Sequence, residues 1–359
     1  MDKEKKKSER KSNIEILRIF SIILIIMHHY ALYSGFEFSN NITFNKIVVD
    51  FFSAFGKLGV AIFVIISGYF YDKNEFKIKK LLYLVFKVWI YSITGLAIGI
   101  IIDSSKLNTT NIIKSIMPTL FGLYWFSNCY ILIYIFSPIL KKILDNFEKR
   151  EMGKYLAIMI IIWSFIAIIP KTRTFSNEFI SLTLIYLMGG YIKKYNVNLI
   201  SNKARIIYVL ILSMVLIGIM LALEYISIEV ERIKEYILYF NSLNSPLILA
   251  MAILIFNIFK NINIKNIKNV NILASTTFGI YLIHENVFFR DIIWGNIIQG
   301  AKYIESPLLI INAIVGVLLV FIVCFIIELI EQNIIQNRVM KLIDKINIKR
   351  KEVIKWKSQ

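Results

Sequence analysis

The chain contains three histidines, His28, His29 and His284, and each falls inside an apolar run. Histidine is the side chain whose ordinary pKa allows proton transfer near neutrality, so these positions are candidates for general acid–base work. Eleven residues before His29 stands Arg18. At 100° per residue that separation closes to about 20° after three turns, so the two side chains share one helix face about 16 Å apart along the axis, while His28 is rotated by about 80°. A guanidinium stays charged and grips phosphate with two hydrogen bonds. One helix face therefore offers anion binding at one end and a general base at the other. The structural alternative is that Arg18 reaches to lipid headgroups and pairs with Glu15, and that His29 is a polar interfacial residue.

Other polar residues sit where an apolar run makes them costly. The stretch DFFSAFGKLGVAIFVIISGYFY carries Asp50, Lys57 and Ser67-Gly68-Tyr69. If it is one helix running against the first, Asp50 is level with His29 and Ser67 with Arg18. Asp50 and Lys57, seven residues apart, then share a face and can neutralise each other, and the glycines can serve close helix packing. The stretch STTFGIYLIHENVFFRD adds His284, Glu285, Arg290 and Asp291. Asp50 or Glu285 could fix the tautomer of a histidine. Trp125, between Tyr124 and Phe126, suits either an interfacial aromatic belt or stacking on a sugar ring.

The elements that must position these residues follow from composition. Of 359 residues, 57% are hydrophobic and 18% charged, against roughly 25% charged in a soluble domain. That excludes a soluble enzyme, a disordered chain and a disulfide scaffold. Apolar runs give ten expected transmembrane helices: 14–33, 47–71, 81–102, 121–140, 155–169, 179–192, 206–223, 237–259, 271–289 and 307–330. With the N-terminus inside, the inner segments hold 30 of the 42 Lys and Arg and the outer segments 9, as the retention of positive charge on the cytoplasmic side requires. The fold class expected is thus all-α and polytopic, with both termini cytoplasmic: a basic tail 1–12, a membrane domain 13–330 and a basic tail 331–359. The net charge of +18 is spent on topology, so nucleic acid is not an expected partner; the lipid bilayer is. Cys129 and Cys324, far apart in separate runs, suggest neither a disulfide nor a metal site.

Five blocks in order carry a family resemblance. NIEILRIFSIILIIMHHY holds Arg18 and His29 at the spacing of an Arg, ten residues and a His. GKLGVAIFVIISGYF holds Lys57 and Ser67-Gly68-Tyr69. YWFSNCYILIYIFSPIL holds Trp125, Phe126, Tyr130, Ser137 and Pro138, and YLMGGY and FGIYLIHE hold Gly190 and His284. From about residue 13 to 330 the chain resembles the acyltransferase 3 family of integral membrane acyltransferases. Ala61 stands where the second block usually has Pro, Tyr124 where a His often precedes the Trp, and the extracellular esterase-like domain of some relatives is not expected here.

The resemblance implies a plasma-membrane enzyme that moves an acyl group, usually acetyl, from cytoplasmic acyl-CoA to a hydroxyl of a cell-surface or envelope glycan, with no permanently bound cofactor. On that reading Arg18, Lys57, Ser67 and Tyr69 meet the donor. His29 is the general base, with His284, Glu285 and Asp50 assisting, and Trp125 and Arg290 meet the acceptor. A glycan exporter or flippase without chemistry is the alternative that the polar seam also suits.

Overall fold

The computed structural model describes residues 10–38, 42–73, 75–102, 107–167, 177–198, 200–336 and 338–341. Most of the two basic tails expected from the sequence lies outside the described residues. Among those described there is helix and no strand. Six stretches are long and apolar enough to cross a membrane: Ser12–Tyr33, Phe44–Tyr69, Ile78–Ile102, Trp125–Asn146, Asn202–Glu229 and Leu309–Lys341. In chain order the helices are α1 (Ser12–Tyr33), α2 (Phe44–Ala54), α3 (Gly56–Tyr69), α4 (Ile78–Ile102), α5 (Thr109–Ile116), α6 (Trp125–Asn146) and α7 (Lys149–Ile160). They continue with α8 (Glu178–Tyr195), α9 (Asn202–Glu229), α10 (Pro246–Lys260), α11 (Lys268–Ser275), α12 (Thr277–His284), α13 (Val287–Asp291) and α14 (Leu309–Glu331).

α3 is the centre of the bundle and packs on α1, α8 and α10. In the most apolar part of the Phe44–Tyr69 stretch 83% of residues are buried, against 11% for α9. Small residues make the central packing possible, because helices in an apolar medium associate by backbone approach. Gly68 of α3 lies directly against the Tyr186 carbonyl of α8, and Gly189 of α8 against the Ile65 carbonyl of α3. Further out, α9 presents Leu210, Met214 and Tyr225 outward, as a helix facing lipid does.

Helix interruptions are where their backbone groups can be satisfied. Pro138 lies inside α6 and removes the N–H that would reach Tyr134; the Ser137 hydroxyl donates to that carbonyl instead, at 2.7 Å. The stretch 47–71, expected as one helix, is two: it breaks at Phe55, and the Ser53 hydroxyl turns back to the Asp50 carbonyl at 2.8 Å. The stretch 271–289 is likewise three short helices. Thr276 and Thr277 donate to the Leu273 and Ala274 carbonyls at 2.7 and 3.0 Å, so their hydroxyls compete with the backbone for helical acceptors. Beyond His284, the Asn286 side chain caps Phe288 N–H at 2.9 Å and starts α13. Ala61 is fully buried in α3, so the irregularity of this segment falls at Phe55, six residues earlier.

The helices define two ends. At the end where α1 begins, here called proximal, Asn13 donates to the Phe259 carbonyl of α10 at 2.9 Å, and Lys194 donates to the Leu144, Asp145 and Phe147 carbonyls that finish α6 at 2.7, 2.9 and 2.7 Å. At the opposite, distal end Tyr30 donates to Asn312 at 2.9 Å, and Lys46 meets Glu224 at 2.6 Å.

Glycine substitutions separate the packed centre from the lipid face. Gly68→Ala forces α3 and α8 apart and is expected to cost about 1–3 kcal/mol. Gly218→Ala in α9, where a Cβ meets no neighbour, should be neutral or stabilise by up to about 1 kcal/mol. Thermal unfolding of the detergent-solubilised variants measures both.

Candidate functional site

Two polar centres lie at opposite ends of α1. The proximal one is a cavity of about 710 Å³ walled by cations: Arg10, Lys11, Arg18, Lys73, Lys80 and Lys87, with Glu15 the carboxylate among them. Arg18 is fixed on this wall between Glu15, at 3.4 Å, and the face of Phe63, 5.3 Å from its centroid. Ser67 also lines the cavity, its hydroxyl donating to the Phe63 carbonyl at 3.2 Å. Lys87 is held by Glu328 and Glu331; the other five cations against one lining carboxylate suit a ligand carrying several negative charges, and the field of a low-dielectric cleft concentrates such a ligand.

Tyr69 and Lys57 are elsewhere. Tyr69 packs 5.0 Å from the Phe256 ring under the Lys193 ammonium. Lys57 places its ammonium 4.0 Å over the Trp125 ring, within electrostatic reach of Glu178 and Glu285.

The distal centre is the histidine cluster. His29, 6% exposed, places Nε2 3.2 Å from Glu285 Oε2, and its ring centroid is 5.0 Å from that of His284. The Tyr33 hydroxyl lies 3.2 and 3.3 Å from the two Glu285 oxygens, and the Arg290 guanidinium covers the Tyr33 ring at 4.6 Å. Tautomers follow from the acceptors. A carbonyl oxygen only accepts, so His284 Nδ1, 2.5 Å from the Ile280 carbonyl, carries a proton. In neutral His284 the buried Nε2 then holds a lone pair, and among the described residues it has no partner. The same is true of buried His29 Nδ1 once Nε2–H is directed at Glu285. Two imidazole nitrogens without partners in a buried cluster are costly as structure and useful as bases.

The adjacent His28 does different work. Its Nδ1 donates to the Ser53 carbonyl at 2.8 Å, beside the break between α2 and α3. Asp50 lies away from the histidines: it hydrogen-bonds Glu224, which in turn meets Lys46. The seven-residue register that would join Asp50 to Lys57 is lost at Phe55, where the helix is interrupted.

Aromatic contacts connect the two centres. Phe63, the ring under Arg18, lies 5.9 Å from Phe126 and 6.5 Å from Tyr130; Phe126 lies 5.4 Å from Tyr281, which meets His284 edge-on at 6.2 Å. The run is an apolar wall from the cationic cavity to the histidines.

A third polar cluster was not singled out from the sequence. Lys87 of α4 contacts Glu328 of α14 and lies 3.2 Å from Glu331; Tyr91 donates to Glu328 at 2.6 Å and Gln332 to it at 2.8 Å. Gly279 of α12 is packed against the same carboxylate, where a larger residue would collide. Asn286 joins the network to the histidine loop, donating to the Tyr124 hydroxyl at 2.7 Å and the Tyr91 carbonyl at 3.2 Å. Tyr124, next to Trp125, is thus a buried acceptor for Asn286. The available signal was a lysine and two glutamates in different apolar runs, which must find one another in lipid.

Lys87→Met strands two buried carboxylates and is expected to cost about 3–5 kcal/mol, whereas adding Glu328→Gln and Glu331→Gln should restore much of it. Thermal unfolding of the single and triple variants tests this coupling.

No curated protein and no solved structure matches the chain. The family described as an acyltransferase domain matches residues 11–329, a range that takes in most of the cationic cavity, the histidine cluster and the aromatic wall between them. The chain therefore belongs to the acyltransferase 3 family and is a membrane acyltransferase.

Proposed function

We propose that the protein is a multi-pass plasma-membrane O-acyltransferase that moves an acetyl group from cytoplasmic acetyl-CoA to a hydroxyl of a cell-surface or envelope glycan. The observation that carries this reading is one helix, α1, with Arg18 in the wall of a cationic cavity and His29 paired with buried Glu285 at its other end. In this reading the chain crosses the bilayer ten times with both termini cytoplasmic, the proximal end faces the cytoplasm, and 13–330 form the catalytic domain. The four crossings beyond the six long helical stretches are α7 with the turns after it, α8, α10, and α11 to α13.

The donor is a substrate, held for one turnover. Its phosphates meet Arg18 and the lysines of the proximal cavity, Ser67 lines the entry, and the pantetheine arm lies along the Phe63–Phe126–Tyr281 wall. Glu285 accepts from His29 Nε2–H and so leaves the Nδ1 lone pair free. The acceptor oxygen bonds to the acyl carbon as its proton passes to His29 Nδ1. Collapse of the tetrahedral intermediate breaks the carbon–sulfur bond, and the thiolate leaves with the proton returned from His29. General base catalysis of this kind is worth about 10²–10⁴ in rate. His284, with Nδ1–H committed to Ile280, offers its Nε2 lone pair to a neighbouring hydroxyl of the acceptor and so orients the attacking one. Arg290 stacks on Tyr33 and holds it against Glu285, and Trp125 stands with Lys57 on the acceptor side.

Purified protein, labelled acetyl-CoA and cell-surface carbohydrate stripped of acetyl groups by mild base provide the test. Transfer of label supports the reading; export of the glycan without transfer would replace it with the exporter. Arg18→Ala should raise the donor constant about ten- to a hundredfold, the loss of a charge-assisted contact of about 1.5–3 kcal/mol. His29→Ala should lower kcat at least about a hundredfold with donor affinity retained.

The crossing pattern is tested separately. On intact cells, an impermeant thiol reagent should label a cysteine at Thr110 and leave one at Lys203 unlabelled; labelling at Lys203 would overturn the ten-span arrangement.

A further inference from the structure

A second cavity, of about 240 Å³, opens at the distal end between α3, the start of α8 and the loop before α10. Small-molecule pockets for drug-sized ligands run to about 300–1,000 Å³, so this one suits a single ring. Its chemistry is the reverse of the proximal cavity. Two amides, Asn177 and Asn244, two hydroxyls, Ser181 and Ser242, the Glu178 carboxylate and the Lys57 ammonium line it. The charges balance, and donors and acceptors are interleaved.

The loops around the cavity are tied down, while most of its polar side chains lack a polar partner. Asn177 caps α8 by accepting from Ile180 N–H at 2.8 Å; Ser164 donates to the Asn244 carbonyl at 2.5 Å; Asn241 donates to the Ser53 carbonyl at 2.8 Å. Among the described residues, the side chains of Lys57, Glu178, Ser181, Ser242 and Asn244 make no hydrogen bond or ion pair with one another or with neighbours, although Ser181 is only 4% exposed. Polar groups gathered in a small, half-open concavity are satisfied by a ligand that both donates and accepts at many points, and a sugar hydroxyl does both. Lys57, on the cavity wall, is also within electrostatic reach of Glu285 and His29.

We propose that this cavity seats the acceptor as a neutral, polyhydroxylated ring, with one hydroxyl directed past Lys57 toward His29. The proposal rests on the acyl-transfer reading and adds the subsite to it. Glu178 and Lys57 together select against a net charge on the ring, Ser181, Ser242 and Asn244 set which hydroxyls are recognised, and Trp125 beneath the Lys57 ammonium fixes that cation in place.

The test uses the full chain carrying Ser242→Cys with Cys129 and Cys324 replaced by Ser. On intact cells a sulfonated, membrane-impermeant thiol reagent should cut acetylation of the surface carbohydrate at least about tenfold. The labelled protein, purified, should bind acetyl-CoA as the unlabelled protein does, and base-deacetylated surface carbohydrate should slow the labelling. Asn244→Cys serves in the same way should Ser242→Cys fail to accumulate. Asn244→Ala adds a kinetic measure: a rise in KM for the carbohydrate of about five- to tenfold with the KM for acetyl-CoA unchanged. Full transfer by the labelled protein, or labelling that the carbohydrate does not slow, overturns the proposal. Failure of the unlabelled protein to bind acetyl-CoA overturns the acyl-transfer reading itself, and the proposal with it.

Discussion

Two side chains converge on the carbonyl oxygen of Ser53, and the whole distal half of the molecule is arranged around that meeting. The oxygen is released by the break at Phe55, and in an apolar layer a released carbonyl must be paired inside the protein. His28 Nδ1 and Asn241 Nδ2 each reach it at 2.8 Å. Through these bonds α1, the α2–α3 junction and the loop before α10 are held as one unit. Because the break shifts α3 relative to α2, Lys57 turns to Trp125 and Asp50 to Glu224. With His28 committed to the scaffold, His29 on the neighbouring face is left for Glu285 and His284.

Much of this was legible in the chain. Apolar runs located the helices, and the 100° rotation per residue separated His28 from His29 and put Arg18 with the latter. The spacing of Arg18, His29 and the later blocks identified the family. What escaped was everything that depends on an interruption. Apolar periodicity continues across Phe55 and across Ser275 to Asn286, so both stretches read as single helices, and a residue's depth was inferred from a helix that does not continue. The pairings of Asp50 with Glu224 and of Lys87 with Glu328 and Glu331 join segments more than 150 residues apart in the chain. Local pattern carries no information about such partners, only about the need for one.

Charge is sorted by what balances it. Around the proximal cavity, cations face open space beside a lone glutamate, an arrangement completed by an incoming anion. Lys87 belongs to both worlds: it lines that cavity and is tied to Glu328 and Glu331. The Glu328 carboxylate presses on Gly279, five residues before His284 on the same short helix. A carboxylate that holds a cavity lysine in place therefore also sets the height of the helix that delivers His284 and Glu285.

The placement of Arg18 and His29 on one continuous helix makes α1 a ruler. Helical rise sets their separation at about 16 Å, and α1 runs unbroken from Ser12 to Tyr33, unlike the interrupted stretch that carries Lys57 and the one that carries His284. Under the proposed mechanism, a donor is measured by the length of the arm between its anionic head and its thioester. A carrier with the right head and too short an arm cannot present its acyl carbon to His29 however tightly it binds. Discrimination among donors then comes from the covalent geometry of a helix, and one inserted residue in α1 would rotate the base by 100° and lengthen the gauge by 1.5 Å.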